Sequence, residues 1–524
     1  MLLAALLLLP FLNTPFTIDD PIYLREAQHA LIEPLHPQAF TMVWSTDLEL
    51  PVSQMLPGGV AAPYLLIPTA LAGCTEWAGH LTQLLLFLAT LFAASLIALR
   101  LGLDSGQARI TALLTVACPA ALGMAATVMP DIAAMLFVTL GMERILAWRD
   151  HRKLHQALLA TVWLALATLT RIHTILVLAP AFLFLLDGIT AEEIRASFRS
   201  FPVRFLPLAL VPIAFFIVSK VTADPDFQGD NVLLVMLDLS AHGRIAMYGW
   251  HVMLQNTAAF LAHLLLAIPL TIPWLALRWR QLPSTVVWTA FLGAAVLSLW
   301  LGWVAFIAAA TVVALVDIFR DAILRRDRDQ LALWVWLFLA IPVIIYVQLP
   351  SKYLLPSVPA AVLLVVREAR RGTVRWLIPS VAVAGIVLGL LILIDARDFA
   401  GAQRRAVDEL ILPHLKLHDR VWFSGHWGFQ WYAELAGATP VTLDPPLPRP
   451  GDIIVVSQAD FSRFPQTWTG ARTVLRHLSY PGNRLGRVMN VPSHAGFYSN
   501  VFGYLPWSWG SGDVASFEVW RVER

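Results

Sequence analysis

Two adjacent carboxylates are the first residues able to do chemistry in this chain. In Thr17-Ile-Asp-Asp-Pro-Ile-Tyr-Leu-Arg-Glu-Ala-Gln-His29, Asp19 and Asp20 stand just past a first apolar window, Met1 to Phe16. A carboxylate placed there can take the proton of an acceptor hydroxyl while positive groups hold a departing phosphate, which leaves readily without a general acid. The same pair can instead cap the helix that begins at Pro21, because Asp ahead of a Pro at the first helical position is a common helix start. A third carboxylate, Asp131, follows Pro130 where another apolar window begins. Arg171, His173, Arg244, Lys352 and Tyr353 lie at window ends or in connections. Asp131 can also be a plain helix-start residue, and Arg171 and Lys352 can simply snorkel to a membrane interface.

The elements that must position these residues are apolar. Of 524 residues, 58% are hydrophobic and 14% charged, against roughly 25% charged in an ordinary soluble domain, so lipid solvates most of this chain. A bilayer core needs roughly 20 apolar residues per helix. About thirteen windows of that kind recur up to Ile394, near 1–16, 78–99, 109–128, 131–148, 155–170, 172–187, 202–220, 253–277, 283–301, 303–319, 331–349, 353–367 and 375–394. The first is short and lacks the basic leader of a signal peptide, so it reads as an anchor helix.

Orientation follows from where the basic residues fall, since Lys and Arg mark the cytoplasmic side. One set of connections holds Arg100, Arg109, Arg149, Arg152, Lys153, Arg195, Arg199, Arg204, Arg278, Arg280, Arg320, Arg325, Arg326, Arg328, Arg367, Arg370, Arg371 and Arg375. The other holds only Arg25, Arg171, Lys220, Arg244 and Lys352. Eighteen against five makes the first set cytoplasmic and puts the C-terminus outside. It also brings Asp19, Asp20, Asp131, Arg171, His173, Arg244, Lys352 and Tyr353 to the external ends of spans, where they can share one site.

From about Ala396 onward polar residues return, and Arg420-Val-Trp-Phe-Ser and Asp452-Ile-Ile-Val-Val-Ser read as buried strands of a small α/β domain. The stretch Asp444-Pro-Pro-Leu-Pro-Arg-Pro reads as a surface loop. No nucleotide-binding or hydrolase motif is present, and nothing supports nucleic-acid binding. Cys74 and Cys118 have no CxxC spacing and read as small apolar residues. The first external loop, 17–76, also carries His29, Glu33, His36, Trp44, Asp47 and Glu49. Their spacing is not that of a metal site, so no cofactor is expected, with a divalent ion as the minor alternative. Trp44, Trp250, Trp274 and Trp303 read as an interfacial aromatic belt.

Four features in fixed order carry a family resemblance: the acidic pair after the first span, Met129-Pro-Asp131-Ile-Ala-Ala-Met, Leu169-Thr-Arg171, and Pro350-Ser-Lys-Tyr-Leu-Leu-Pro356. Together they resemble the GT-C glycosyltransferases, in the branch of the bacterial lipid A aminoarabinose transferases and the protein O-mannosyltransferases. The resemblance spans roughly residues 1–395 and extends to the C-terminal domain, 396–524. It implies a polytopic α-helical membrane protein, GT-C-like, with a small C-terminal α/β soluble domain outside the bacterial inner membrane. It further implies Asp19 as the acceptor-activating base, Asp20 as its acidic neighbour and Asp131 as the second site carboxylate. Arg171, aligned with a family Lys, would contact the donor phosphate, with Lys352 and Tyr353 opposite it; Tyr23 falls on a family Tyr. Ile22 stands where many relatives carry a basic residue, and Met55-Leu-Pro-Gly-Gly-Val-Ala-Ala-Pro-Tyr64 replaces the usual Pro-Pro-Leu motif. Either the phosphate is held by a different set of cations, with Arg25, His173 and Arg244 as the candidates, or catalysis is weakened or lost.

The implied activity is transfer of a sugar, with inversion, from a polyprenyl-phosphate donor to a glycolipid, polysaccharide or protein acceptor. A lipid or solute transporter is the rival class; it should show broken helices and charges near the bilayer midplane. A non-catalytic envelope assembly protein, binding through its C-terminal domain, is the third reading.

Overall fold

A computed structural model describes residues 1–44, 48–55, 59–186, 201–225, 249–345, 348–371, 376–458 and 470–523. The described parts of the apolar windows are helical, and the chain is a multi-pass membrane protein. Helix α1 (Leu2–Leu8) is followed by a polar helix α2 (Asp20–Ala30). The body then builds on α3 (Glu76–Arg100), α4 (Asp131–His151) and α5 (Leu154–Thr170), and closes with α6 (Val358–Ala369) and α7 (Leu377–Ala406).

Among the described residues, Glu76–Arg100, Ser284–Leu301, Arg328–Ile345 and Leu377–Lys416 are each long and apolar enough to cross a bilayer. Trp250–Leu266 and Thr271–Gln281 qualify as one span bent by 65°. Other windows are shorter or broken, which differs from the continuous spans expected from hydropathy. Proline accounts for one break: the window at 109–128 divides into Ser105–Val116 and Pro119–Met124. Two breaks satisfy each other, because the Ala120 N–H and the Cys118 thiol donate to Ala267 O, at 3.0 and 3.1 Å. Irregular backbone is tolerated at membrane depth only where protein buries it in this way. Two further windows open with 3-10 segments, Ile172–Val177 and Ser351–Ser357, and these carry His173, Lys352 and Tyr353.

Helix α7 presses on the break at Cys118. A Cβ on Gly385 would lie 2.0 Å from Ala117 O, and one on Gly389 would lie 2.7 Å from a Leu122 methyl, so only glycine permits this approach. Helix α7 runs unbroken through the expected domain boundary at 395. Beyond it a mixed sheet forms from β1 (Val421–Ser424), β2 (Thr439–Pro440), β3 (Ile453–Ser457), β4 (Arg472–Pro481) and β5 (Asp513–Val522), ordered β2-β1-β3-β5-β4. β1 pairs in parallel with β2 and β3, while β5 is antiparallel to β3 and β4. β1 and β3 are buried along their length, as a continuous apolar run requires. Helix α8 (Trp427–Ala436) covers the sheet on the side facing the bundle.

Two tryptophans depart from the belt expectation. Trp274 is fully buried and its indole donates to Asp317 at 3.1 Å, and Trp44 packs against His426 of the C-terminal domain. Trp250 and Trp303 are exposed on the bundle surface.

Candidate active site

The chain leaves α1 through Thr17 and Ile18, and Ile18 takes φ of 49°. A β-branched residue in the left-handed region is strained by about 1–3 kcal/mol and persists only where its surroundings fix it. Asp20 does the fixing. Its two carboxylate oxygens accept from Thr17 N–H at 3.0 Å and Val128 N–H at 2.9 Å. The turn after Asp19 is thereby tied to the turn that delivers Asp131, three residues beyond Val128. Asp20 is thus spent on backbone hydrogen bonds, and it holds Asp19 in place.

Asp19 makes an ion pair with Lys352, which is almost wholly buried. Lys352 rides on the 3-10 segment, anchored by Ser351, whose Oγ meets His263 Nδ1 at 3.0 Å. Asp131 receives both prongs of the Arg171 guanidinium at 3.0 Å each, the bidentate geometry only Arg provides. One aromatic ring links the pairs: Tyr353 lies 5.3 Å from the Arg171 guanidinium and 5.8 Å from the Lys352 ammonium. Tyr23, one helical turn after Asp19, lies 5.9 Å from Arg171, and the His173 ring stands edge-on to Tyr353 at 5.6 Å. Four separate stretches of chain therefore deliver Asp19, Tyr23, Asp131, Arg171, His173, Lys352 and Tyr353 to one place.

Asp19, Asp20, Glu26 and Lys352 lie outside the apolar windows, and their protonation follows from burial and neighbours. Burial alone would raise the pKa of Asp19, but Lys352, with smaller contributions from Arg171 and His426, holds it below the ordinary carboxylate value. Burial would lower that of Lys352, and Asp19 reverses this. Burial pushes Asp20 up to about 7 despite its two N–H donors.

One of the expected residues is not in this cluster. Arg25 turns the other way, to Glu434 at 2.8 Å and over the Trp431 ring at 4.9 Å, so it joins α2 to the C-terminal domain. The reason is helical geometry: Arg25 sits two positions after Tyr23, on the opposite side of α2. Arg244 lies outside the described residues, as does Asp47. Of the other first-loop residues weighed for a metal, His36 is bonded to Ala223 O at 2.7 Å and Glu49 to Thr41 at 2.5 Å. Among the described residues no three His, Cys, Asp or Glu side chains gather to hold a metal.

Sequence reasoning passed over Glu26 and His426. Glu26 is fully buried one turn after Tyr23, with Gln38 Nε2 on one oxygen at 2.8 Å and no hydrogen-bond partner on the other. The spacing 19, 23, 26 on one helix face was the signal that could have found it. His426 had none, because only the folded C-terminal domain brings it near Asp19.

Comparison with curated proteins finds no sequence match. Residues 60–221 match the family described as dolichyl-phosphate-mannose-protein mannosyltransferase. The chain is also similar to the solved structure of ArnT from Cupriavidus metallidurans bound to undecaprenyl phosphate, at 13% identity over 91% of this chain and 95% of that one, with a TM-score of 0.48. Two structures of the arabinofuranosyltransferase AftD from Mycobacteria match at 16% and 14% identity, with TM-scores of 0.39 and 0.41. All of this chain is covered, but only 41% and 40% of those. The chain is a polytopic membrane protein that over residues 60–221 is similar to the dolichyl-phosphate-mannose-protein mannosyltransferase family.

Proposed function

We propose that this protein is a membrane glycosyltransferase that moves a sugar from a polyprenyl-phosphate donor to a hydroxyl acceptor with inversion, on the extracytoplasmic side. The observation that carries the proposal is the convergence of two carboxylate–cation pairs on the Tyr353 ring from distant parts of the chain. Asp19 takes the acceptor proton as the acceptor oxygen bonds to the anomeric carbon. The bond from that carbon to the phosphate oxygen breaks, and polyprenyl phosphate departs with its charge held by Lys352 and Arg171. In the free protein Lys352 occupies Asp19; a donor phosphate that draws Lys352 toward itself restores the basicity of the carboxylate. Asp131 keeps the Arg171 fork aimed.

The orientation rests on the eighteen-to-five charge bias. The transporter reading is weaker, because the break in the bent span packs against the break at Cys118, whose thiol and the Ala120 N–H satisfy its freed Ala267 carbonyl. Purified protein in lipid, given undecaprenyl-phosphate-linked pentoses and hexoses, should release undecaprenyl phosphate and transfer sugar, and Asp19→Asn should slow transfer by about 10²- to 10⁴-fold. Silence of the wild type with every donor removes the enzyme reading, and unchanged turnover in the variant removes Asp19 as base. A cysteine introduced in the C-terminal domain should react with impermeant reagent from outside the cell.

A further inference from the structure

Helix α7 is longer than the hydrocarbon it crosses. Its 30 residues rise about 45 Å at 1.5 Å each, against roughly 30 Å of bilayer core. Leu377 to Ile394 carries no charged side chain, whereas Asp395, Arg397, Asp398, Arg404 and Arg405 all follow before the helix ends. That end therefore stands at the level of the lipid headgroups and above it. A cavity of about 370 Å³ lies there, between Pro15 and the face of α7 that carries Arg397, Gly401 and Arg404 and continues to Asp408 in the π-turn Val407–Ile411. Gly401 leaves it open: a Cβ at that position would meet nothing within 4 Å.

Some of the charges around this cavity are spent on structure. Arg404 donates to Glu76 at 3.0 Å, and Glu76 also accepts from Tyr432 Oη, the group that receives the Phe16 N–H. Asp398 accepts from Asn483 Nδ2 at 3.1 Å. Arg397 and Arg405, which also line the cavity, rest on the rings of Phe11 at 5.4 Å and Tyr480 at 5.2 Å, and among the described residues neither is in an ion pair. Both are exposed, as is Asp408 at the end farther from the membrane. In the other direction the same face of α7 runs down into the bilayer through Val387 and Val383, about four and five turns below Gly401, and both are exposed.

We infer that this cavity is a binding site for a phospholipid headgroup, separate from the Asp19 cluster. The phosphodiester meets Arg397 and Arg405, whose guanidinium forks match phosphate oxygens, and the hydroxyls or ammonium beyond the phosphate meet Asp408. Read outward from the membrane, α7 offers an apolar track, then free cations, then an acceptor, which is the order of acyl chain, phosphate and headgroup donors in such a lipid. A lipid seated there bridges Pro15 to α7 four residues ahead of Asp19.

The test titrates the purified protein, in neutral maltoside detergent, with phosphatidylglycerol or with phosphatidylcholine, whose headgroup has no hydrogen-bond donor, and counts bound lipid by native mass spectrometry. Wild type should bind phosphatidylglycerol about tenfold or more tightly than phosphatidylcholine, the scale of one hydrogen bond to a charged group. Gly401→Leu fills the cavity without meeting a protein atom and should weaken phosphatidylglycerol binding by about tenfold or more, with Tm held or raised because Leu favours a helix over Gly. Arg397→Gln with Arg405→Gln should weaken it at least as much. Gly293→Leu places the same side chain in equally open space on Ser284–Leu301, which takes no part in the cavity, and should bind as wild type does. Equal binding of the two lipids overturns the inference, as does phosphatidylglycerol binding unmoved by Gly401→Leu or by the double Arg variant, or an equal loss in Gly293→Leu. The readout is bound lipid, so the outcome does not depend on the glycosyl-transfer reading.

Discussion

The two ends of helix α4 both carry buried ionic clusters, and the difference between them separates support from chemistry. At the end beyond His151 a cluster closes on itself. Arg278 meets Asp317 through Nε at 3.1 Å, Asp321 through Nη2 at 3.0 Å, and Gln281 and Glu368 through Nη1 at 2.5 and 3.5 Å. Asp317 also accepts from the Trp274 indole, Asp327 caps Arg328–Trp336 while binding Arg367 at 2.7 Å, and Arg149 of α4 reaches Asp329 at 2.8 Å. Around Asp131, at the other end, two separate pairs face aromatic rings instead of further ions.

The largest effect expected from this contrast is on stability. Arg278→Ala strands the buried Asp317, while Asp321 and Glu368 keep Arg325 and Arg371, and a buried pair that loses one partner costs about 3–5 kcal/mol. A thermal-unfolding series in nanodiscs should show that loss, while undecaprenyl phosphate binding by the remaining folded protein is unchanged. Impaired lipid binding with an unmoved Tm would invert the roles assigned to the two ends.

Arg171→Lys should act in the opposite sense. It retains the positive charge beside Asp131 but loses the planar fork that meets both oxygens. Sugar transfer should fall by roughly tenfold to a hundredfold from misaligned phosphate contacts, with a smaller Tm loss than Arg278→Ala. Steady-state kinetics beside the same unfolding series decide the matter. Equal Tm losses in the two variants would erase the distinction between the clusters.

How far the sequence foretold this site depends on the range of the forces involved. Hydropathy marked the apolar windows because lipid imposes its length on any helix that crosses it. The charge bias assembled Asp19, Asp131, Arg171 and Lys352 on one side, and the structure brings those residues together. Register on a helix was legible in principle: the spacing from Asp19 to Tyr23 and Glu26 was there to read, and the same geometry turns Arg25 toward Glu434. Two things were beyond local pattern. The breaks at Cys118 and Ala267 compensate each other across 149 residues, and His426 reaches Asp19 only through the docking of an entire sheet. Hydropathy also put Trp274 in the interfacial belt because it does not register that an indole N–H can be satisfied by a buried carboxylate.

The smallest expected effect concerns the proton on Glu26. Burial pushes its pKa up from 4.5 to about 8, and the opposing pull of Gln38 and Arg171 does not undo this. The folded protein therefore binds this proton more tightly than the unfolded chain does. The stability Glu26 contributes is full below about 4.5 and declines as pH rises toward and through about 8. Glu26→Gln keeps the shape and a hydrogen-bonding amide but has no proton to lose. The two proteins should unfold at similar temperatures near pH 5, and the variant should become the more stable of the two as pH is raised to 8.5. A Tm difference that stays flat across that range would mean Glu26 is already ionised and paired, and would give the Asp131 end the same self-contained character as the Arg278 cluster.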